Sequence, residues 1–511
     1  MMQERAQDGP ARSRGVAMHL ARAAALLALI GVAAGLATLA RAAFPPTPVQ
    51  TILSQAATPA SLRVRLDSLA NADATRDPIS AGEARYYQGL SFARAGMLDS
   101  AIIAYQSAVA LRNSRVELLG LADVRLLREA PGDGRAVLTE LASALAEAGS
   151  ETSMSQVLVQ RRVAWAYFLS GHADSATALF SASEDIPGLR LEWRYRMGVA
   201  ALAAGDARKA YGLLFPVVVA GRKQDPDALQ QLERAGARLS DKAATGARLD
   251  AEIRGRDARE QRLFESWGGR RVLFSGTDGF PLTGFVVPAA AAARASRAVG
   301  AVVLMASTDT LAAYDSLVVA LREHGVSTIL VPARGSNWAV TAGCPTPDAW
   351  EGREEKLQDQ SARDVGRALS QLAAATPVDT TRYLAVGIGS TVVSAAEAAR
   401  LDRRVRALLI VSPFVSAVDR GPMCADLFAA RVPAFFQSAP EEFDNTYDVT
   451  DLLYQAGPHA ASRVVEGTQA GHGVAQYRND SSLLPRFVHW LDDALKTAPA
   501  RATPPAARRR G

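Results

Sequence analysis

After Phe264 the chain alternates short apolar runs with amphipathic stretches, and no other feature narrows its fold so far. The runs "AVGAVVLMAS", "VSTILVPARG", "RYLAVGIG", "RALLIVSP" and "VPAFFQSAP" are apolar at almost every position, as strands buried on both faces must be. Between or after them, "SLVVALREHG", "SARDVGRALSQLAAA", "STVVSAAEAARL" and "SSLLPRFVHWLDDAL" carry helical spacing. Repeated strand and helix units of this kind require a mostly parallel sheet wrapped on both faces by helices, a doubly wound α/β domain. Ahead of them, "RRVLFSGTDGFPLTGFVVP" alternates around Asp278-Gly279, the pattern of a hairpin.

The first half has a different texture. "GLSFARAGMLDSAIIAYQSA" places Gly89, Phe92, Gly96, Ala101, Tyr105 and Ala108 at offsets that return as Ala164, Tyr167, Gly171, Ala176 and Phe180. They return again as Gly198, Ala201, Gly205, Ala210 and Leu214, and Gly171 to Gly205 is a step of 34 residues. The 75 residues from Gly96 to Gly171 leave room for one further helix pair. Small residues at such offsets let paired helices approach while aromatic rings fill the space beside them, and the pattern resembles the tetratricopeptide repeat. That resemblance implies an all-α solenoid over 80–222 whose concave surface holds a protein or peptide partner. Asp225-Pro226 reads as a helix start, an N-cap followed by a first-turn proline, opening a charged helical connector over 223–263.

Within 264–496, the opening hairpin, the strand-turn-helix "YLAVGIGSTVVSAAEAA" and the late Gly471-His472-Gly473 resemble the α/β-hydrolase family. That family keeps its nucleophile on a G-x-S-x-G bend, with an acid and then a histidine later in the chain. The resemblance implies His472 as general base and Asp444 as orienting acid, with Glu441 and Glu442 as alternatives. Here the bend reads Gly387-Ile388-Gly389-Ser390-Thr391, so Gly389 stands where the serine belongs. A one-residue shift would make Ser390 the nucleophile, but it would set β-branched Ile388 and Val392 where the tight bend needs small residues. Ser307 and Thr308 fall where the family donates backbone N–H groups to an oxyanion.

Arg12, Arg14 and Arg22 precede an uncharged run of 18 residues, Ala23–Ala40, which reads as an export signal or an N-terminal membrane anchor over 1–43. An exported chain, periplasmic or otherwise extracytoplasmic, is expected, with residues 44–79 as a linker and first helix and 497–511 as a disordered basic tail. The net charge of +5 sums 57 basic and 52 acidic residues, too even a balance for a nucleic-acid partner. Cys344 and Cys424 are the only cysteines; both fall in segments read as loops, where an oxidising compartment would let them pair. No histidine spacing suits a metal, and no glycine-rich phosphate loop suits a nucleotide cofactor. The expectation is therefore a multidomain binding or scaffold protein with a disarmed hydrolase-like domain. The alternative is a serine hydrolase using Ser390, Asp444 and His472.

Overall fold

A computed structural model describes residues 47–142, 154–181, 191–223, 225–240, 242–290, 298–305, 311–332, 334, 352–439, 446–457, 459–469 and 471–497. The leader 1–43, Ser307, Thr308, Cys344, Glu441, Glu442, Asp444 and the tail beyond Thr497 lie outside them. Two compact units divide the chain, Met1–Thr51 and Ile52–Gly511. In the first, Thr47 and Gln50 cap the start of helix α1 (Pro48–Gln55): each side chain accepts the other's backbone N–H, at 3.1 and 2.9 Å. No helix among the described residues is long and apolar enough to cross a membrane.

The second unit begins with helices joined by short turns. They are α2 (Pro59–Asp73), α3 (Pro78–Arg94), α4 (Leu98–Arg112), α5 (Arg115–Arg128), α6 (Asp133–Glu140), α7 (Met154–Leu169), α8 (Ala173–Ser181), α9 (Leu191–Ala203) and α10 (Ala207–Ala220). The turns of α3–α4, α7–α8 and α9–α10 pass through Gly96, Gly171 and Gly205 at φ +74°, +87° and +92°, a left-handed backbone that glycine adopts without strain. Tyr105 shows why the small residues recur. Its ring lies 3.0 Å from where a Cβ on Gly89 would stand and 2.7 Å from one on Gly120, so one side chain packs α4 against both α3 and α5. Leu214 meets Gly198 in the same way, at 2.6 Å. Asp225 accepts the Asp227 and Ala228 N–H groups at 2.9 Å and caps α11 (Pro226–Arg238). Helix α12 (Lys242–Ser266) then delivers Phe264, whose ring stacks on Phe285 at 4.5 Å, into the core of the following domain.

That domain holds an eight-stranded sheet in the order β1-β2-β4-β3-β5-β6-β7-β8. The strands are β1 (Arg270–Ser275), β2 (Pro281–Val287), β3 (Ala298–Met305), β4 (Val326–Pro332), β5 (Val378–Ile388), β6 (Val405–Val411), β7 (Ala434–Ser438) and β8 (Arg463–Glu466). Only β2 runs against its neighbours; all other pairings are parallel. Helices α13 (Asp315–Glu323) and α18 (Leu483–Thr497) cover one face, while α14 (Glu354–Ala375), α15 (Val392–Leu401), α16 (Ala417–Ala430) and α17 (Thr446–Ala456) cover the other. The near-continuous apolar runs fit this arrangement, because strands buried on both sides have no polar face to show.

Cys424 is a correction. It lies within α16 rather than in a loop, half-buried and with a free thiol, while its pairing with Cys344 falls outside the described residues. Gly421 and Pro422 gave the segment the look of a turn, yet Gly421 serves close packing: a Cβ there would stand 2.4 Å from the Ala56 carbonyl oxygen. Helix α16 therefore docks on the helical array, where Arg94 of α3 pairs with Asp419 at 2.7 Å and Arg63 of α2 with Glu355 at 2.9 Å. Both α14 and α16 start beside the carboxyl ends of the strands, so the array lies at that end of the sheet.

Arg334, just after β4, fastens the opening hairpin to α14. Its guanidinium donates to Asp364 at 2.6 and 2.9 Å and to Asp278 at 2.7 and 2.8 Å, and lies 4.5 Å over the Phe280 ring. Burial pushes the Asp364 carboxyl up even against Arg334, whereas the same guanidinium holds the more exposed Asp278 well below the usual range. Arg334→Met should cost about 3 kcal/mol at pH 7, because a buried carboxylate loses its partner. Asp364 must then protonate to stay buried, so the deficit in urea midpoint should shrink as pH falls from 7 toward about 5. A deficit independent of pH would contradict this.

Candidate functional site

Strand registers set the site's floor. Ile388 pairs with Val411 and Val411 with Gln437, so Gly389, Ser412 and Ser438 stand side by side at the carboxyl edge of the sheet, where open α/β sheets bind their ligands.

Between β5 and α15 a single 3-10 turn, Gly389–Thr391, makes the bend. Gly389 sits at its apex with φ +61°. Two residues earlier, a Cβ on Gly387 would stand 2.6 Å from Val392 Cα and 2.9 Å from Ala395 Cβ, which forces a residue with no side chain where the helix folds back on its strand. The Thr391 hydroxyl accepts the Ile388 N–H at 2.8 Å and lies 2.9 and 3.2 Å from the Ile388 and Leu304 carbonyls, so it fastens the bend to β3. The Gly389 carbonyl accepts the Phe414 N–H at 3.1 Å. Ser390 follows the apex and is exposed.

His472 is exposed on the turn before Gly473, whose φ is +55°. A Cβ on Gly473 would lie 3.3 Å from Ile388 Cγ2, so the histidine turn rests on the residue that precedes the apex. The structure thus brings Gly387, Gly389, Ser390, Thr391 and the His472 turn to one place. Asp444, Ser307 and Thr308 lie outside the described residues.

Ser412 had no counterpart in the sequence reading. It is fully buried and holds φ +46°, an uncommon conformation for a residue with a Cβ. Its hydroxyl accepts the Gly473 N–H at 2.7 Å and the Gln476 side-chain amide at 2.5 Å, and Gln476 in turn accepts from Gln437 at 3.1 Å. Burial holds the neighbouring Tyr477 phenol far above its usual range. The only trace in the sequence is the serine-proline step closing "ALLIVSP", a turn signal that says nothing of a buried hydroxyl. Nearby chemistry is sparse. The Cys424 thiol is pushed up to about 11 by burial and stays protonated at neutral pH, and no group of three or more His, Cys, Asp or Glu among the described residues could hold a metal ion.

No protein-family model matches the chain, and no curated protein matches it either. Solved structures similar to it include the esterase domain of a Rhodothermus marinus protein, at 14% identity over 44% of this chain and 99% of that one, with a TM-score of 0.34. A putative dienelactone hydrolase from Klebsiella pneumoniae matches at 14% over 44% and 98%, with a TM-score of 0.36. An acylaminoacyl peptidase from Pyrococcus horikoshii matches at 12% over 46% and 43%, with a TM-score of 0.35. The mostly parallel eight-stranded sheet, its opening hairpin and its bend after β5 are those of an α/β-hydrolase-like domain.

Ser412→Ala should destabilise the chain by about 1–3 kcal/mol, because the buried Gly473 N–H and the Gln476 amide both lose their acceptor. Hydrogen exchange should speed up first at Gly473; protection there equal to wild type would contradict the assignment.

Proposed function

We propose that the chain is an exported binding or scaffold protein in which tetratricopeptide-like repeats recognise a protein partner and the α/β-hydrolase-like domain does not turn over substrate. The observation that supports this is Gly389 at φ +61° on the apex of the bend. A nucleophilic serine would have to stand there to be presented by the strand and reached by the histidine turn, and glycine offers no atom to attack. Ser390 begins the helical side of the bend, two positions before the β-branched Val392, and does not occupy the apex.

The surroundings agree with a site kept as a scaffold. Thr391 and Ser412 spend their hydroxyls on holding the bend and the histidine turn. The helical array lies at the sheet end where a substrate would enter, joined to it by Arg94–Asp419. Under this reading the leader 1–43 carries the chain across a membrane and residues 23–40 can tether it there. The competing reading is a serine hydrolase built on Ser390, Asp444 and His472.

A fluorophosphonate probe on the full chain separates them. No covalent labelling is expected at any pH between about 6 and 9, the range over which a histidine base titrates into its neutral form. Labelling that vanishes in Ser390→Ala would overturn the proposal in favour of the hydrolase. Gly389→Ser should cost about 1–2 kcal/mol for a side chain in left-handed backbone, and it is the one substitution here that places a hydroxyl on the apex.

A further inference from the structure

A groove of about 450 Å³ is lined by α3, α4, α5, α7 and α9 of the helical array, and Gly352 and Glu354 complete it. Its aromatic walls are Tyr86, Tyr105 and Trp193, and Glu354, the first residue of α14, closes it from the other domain. The volume lies in the range of ligand sites, which favour domain junctions.

The arginines lining the groove already have partners, whereas its Glu354 does not. Arg162 holds Asp123 through two hydrogen bonds, at 2.5 and 2.8 Å. Arg94 is taken by Asp419 at 2.7 Å, and Arg196 lies over the Trp165 and Trp193 rings at 5.2 and 5.1 Å. Glu354 has no ion pair among the described residues, and its Oε2 is buried without a hydrogen-bond partner. Burial raises its carboxyl above the ordinary range, with Arg94 opposing, so a cation brought alongside would relieve a cost the protein now carries. Tyr105 records the same field. Its phenol is pushed well up by burial, with Tyr86, Asp123 and Glu354 adding to the shift.

We propose that this groove receives a segment of a partner protein presenting a basic side chain, whose guanidinium or ammonium pairs with Glu354 against the face of Tyr86. Aromatic faces attract cations, and a carboxylate in a partly dry groove forms its strongest hydrogen bonds with a charged donor. The inference rests on the reading of the repeats as the partner-binding half, and it assigns the sheet domain a share in recognition. An acidic segment fits less well, because the groove's arginines are committed to carboxylates and rings.

The test titrates the full chain, at low salt, with acetylated and amidated pentapeptides of alanine bearing a central arginine, glutamine or glutamate, followed by calorimetry. The arginine peptide should bind at least tenfold more tightly than the glutamine peptide, with the glutamate peptide weakest. Glu354→Gln should bring the arginine and glutamine peptides level. Should that variant fold poorly, Tyr86→Leu supplies a second one, expected to weaken the arginine peptide most, and the wild-type ranking needs neither. Equal affinities, tighter binding of glutamate, no binding of the arginine peptide at millimolar concentration, or a preference that survives Glu354→Gln would each overturn the proposal. Fluorophosphonate labelling of Ser390 would sink the scaffold reading while leaving this ranking intact, so the two failures can be told apart.

Discussion

The tight fold-back of α15 on β5 is the constraint from which the rest of the site follows. Val392 Cα and Ala395 Cβ press so close to Gly387 that no Cβ fits, and the chain can make that bend only by carrying Gly389 into left-handed backbone. In a hydrolase the strain of such an apex is borne by a serine and repaid in catalysis. Here glycine occupies it at no conformational cost. Thr391 and Ser412 then fix the bend to β3 and the histidine turn to β6. The result is a rigid carboxyl edge with no reactive atom at its apex.

The elements set by local period were legible from the sequence. Strands buried on both faces declare themselves as unbroken apolar runs, the Asp278-Gly279 hairpin by its alternation, and the α11 cap by Asp225-Pro226, because each signal lies within a few residues of its effect. What stayed hidden depends on distant partners. Gly421 and Pro422 look like turn residues, and only the approach of the Ala56 carbonyl explains a glycine inside a helix. Ser412 at positive φ leaves no mark in the sequence, since it caps no helix and its partners Gly473 and Gln476 lie some sixty residues away. The ion pair of Arg94 with Asp419 joins residues more than three hundred positions apart, beyond the reach of any spacing rule.

The junction between array and sheet is as informative as either part alone. Asp419 is a buried carboxylate held by an arginine of the array, and breaking such a pair by removing one member is far more costly than never having built it. Gly96 and Gly352 meet at backbone distance, a Cβ on the former falling 2.5 Å from the carbonyl of the latter. Close backbone contact and a desolvated ion pair mark a fixed junction rather than two domains on a loose linker. Fixed in this way, the sheet domain lines the same cavity as the array, through Gly352 and Glu354.

The central claim, that the apex carries no nucleophile, is tested most directly by intact-mass spectrometry of the full chain, quenched in acid after incubation with an activated ester such as p-nitrophenyl butyrate. The unmodified mass is expected at every time point. A stoichiometric acyl adduct, localised by peptide mapping to residues 383–399, would contradict it.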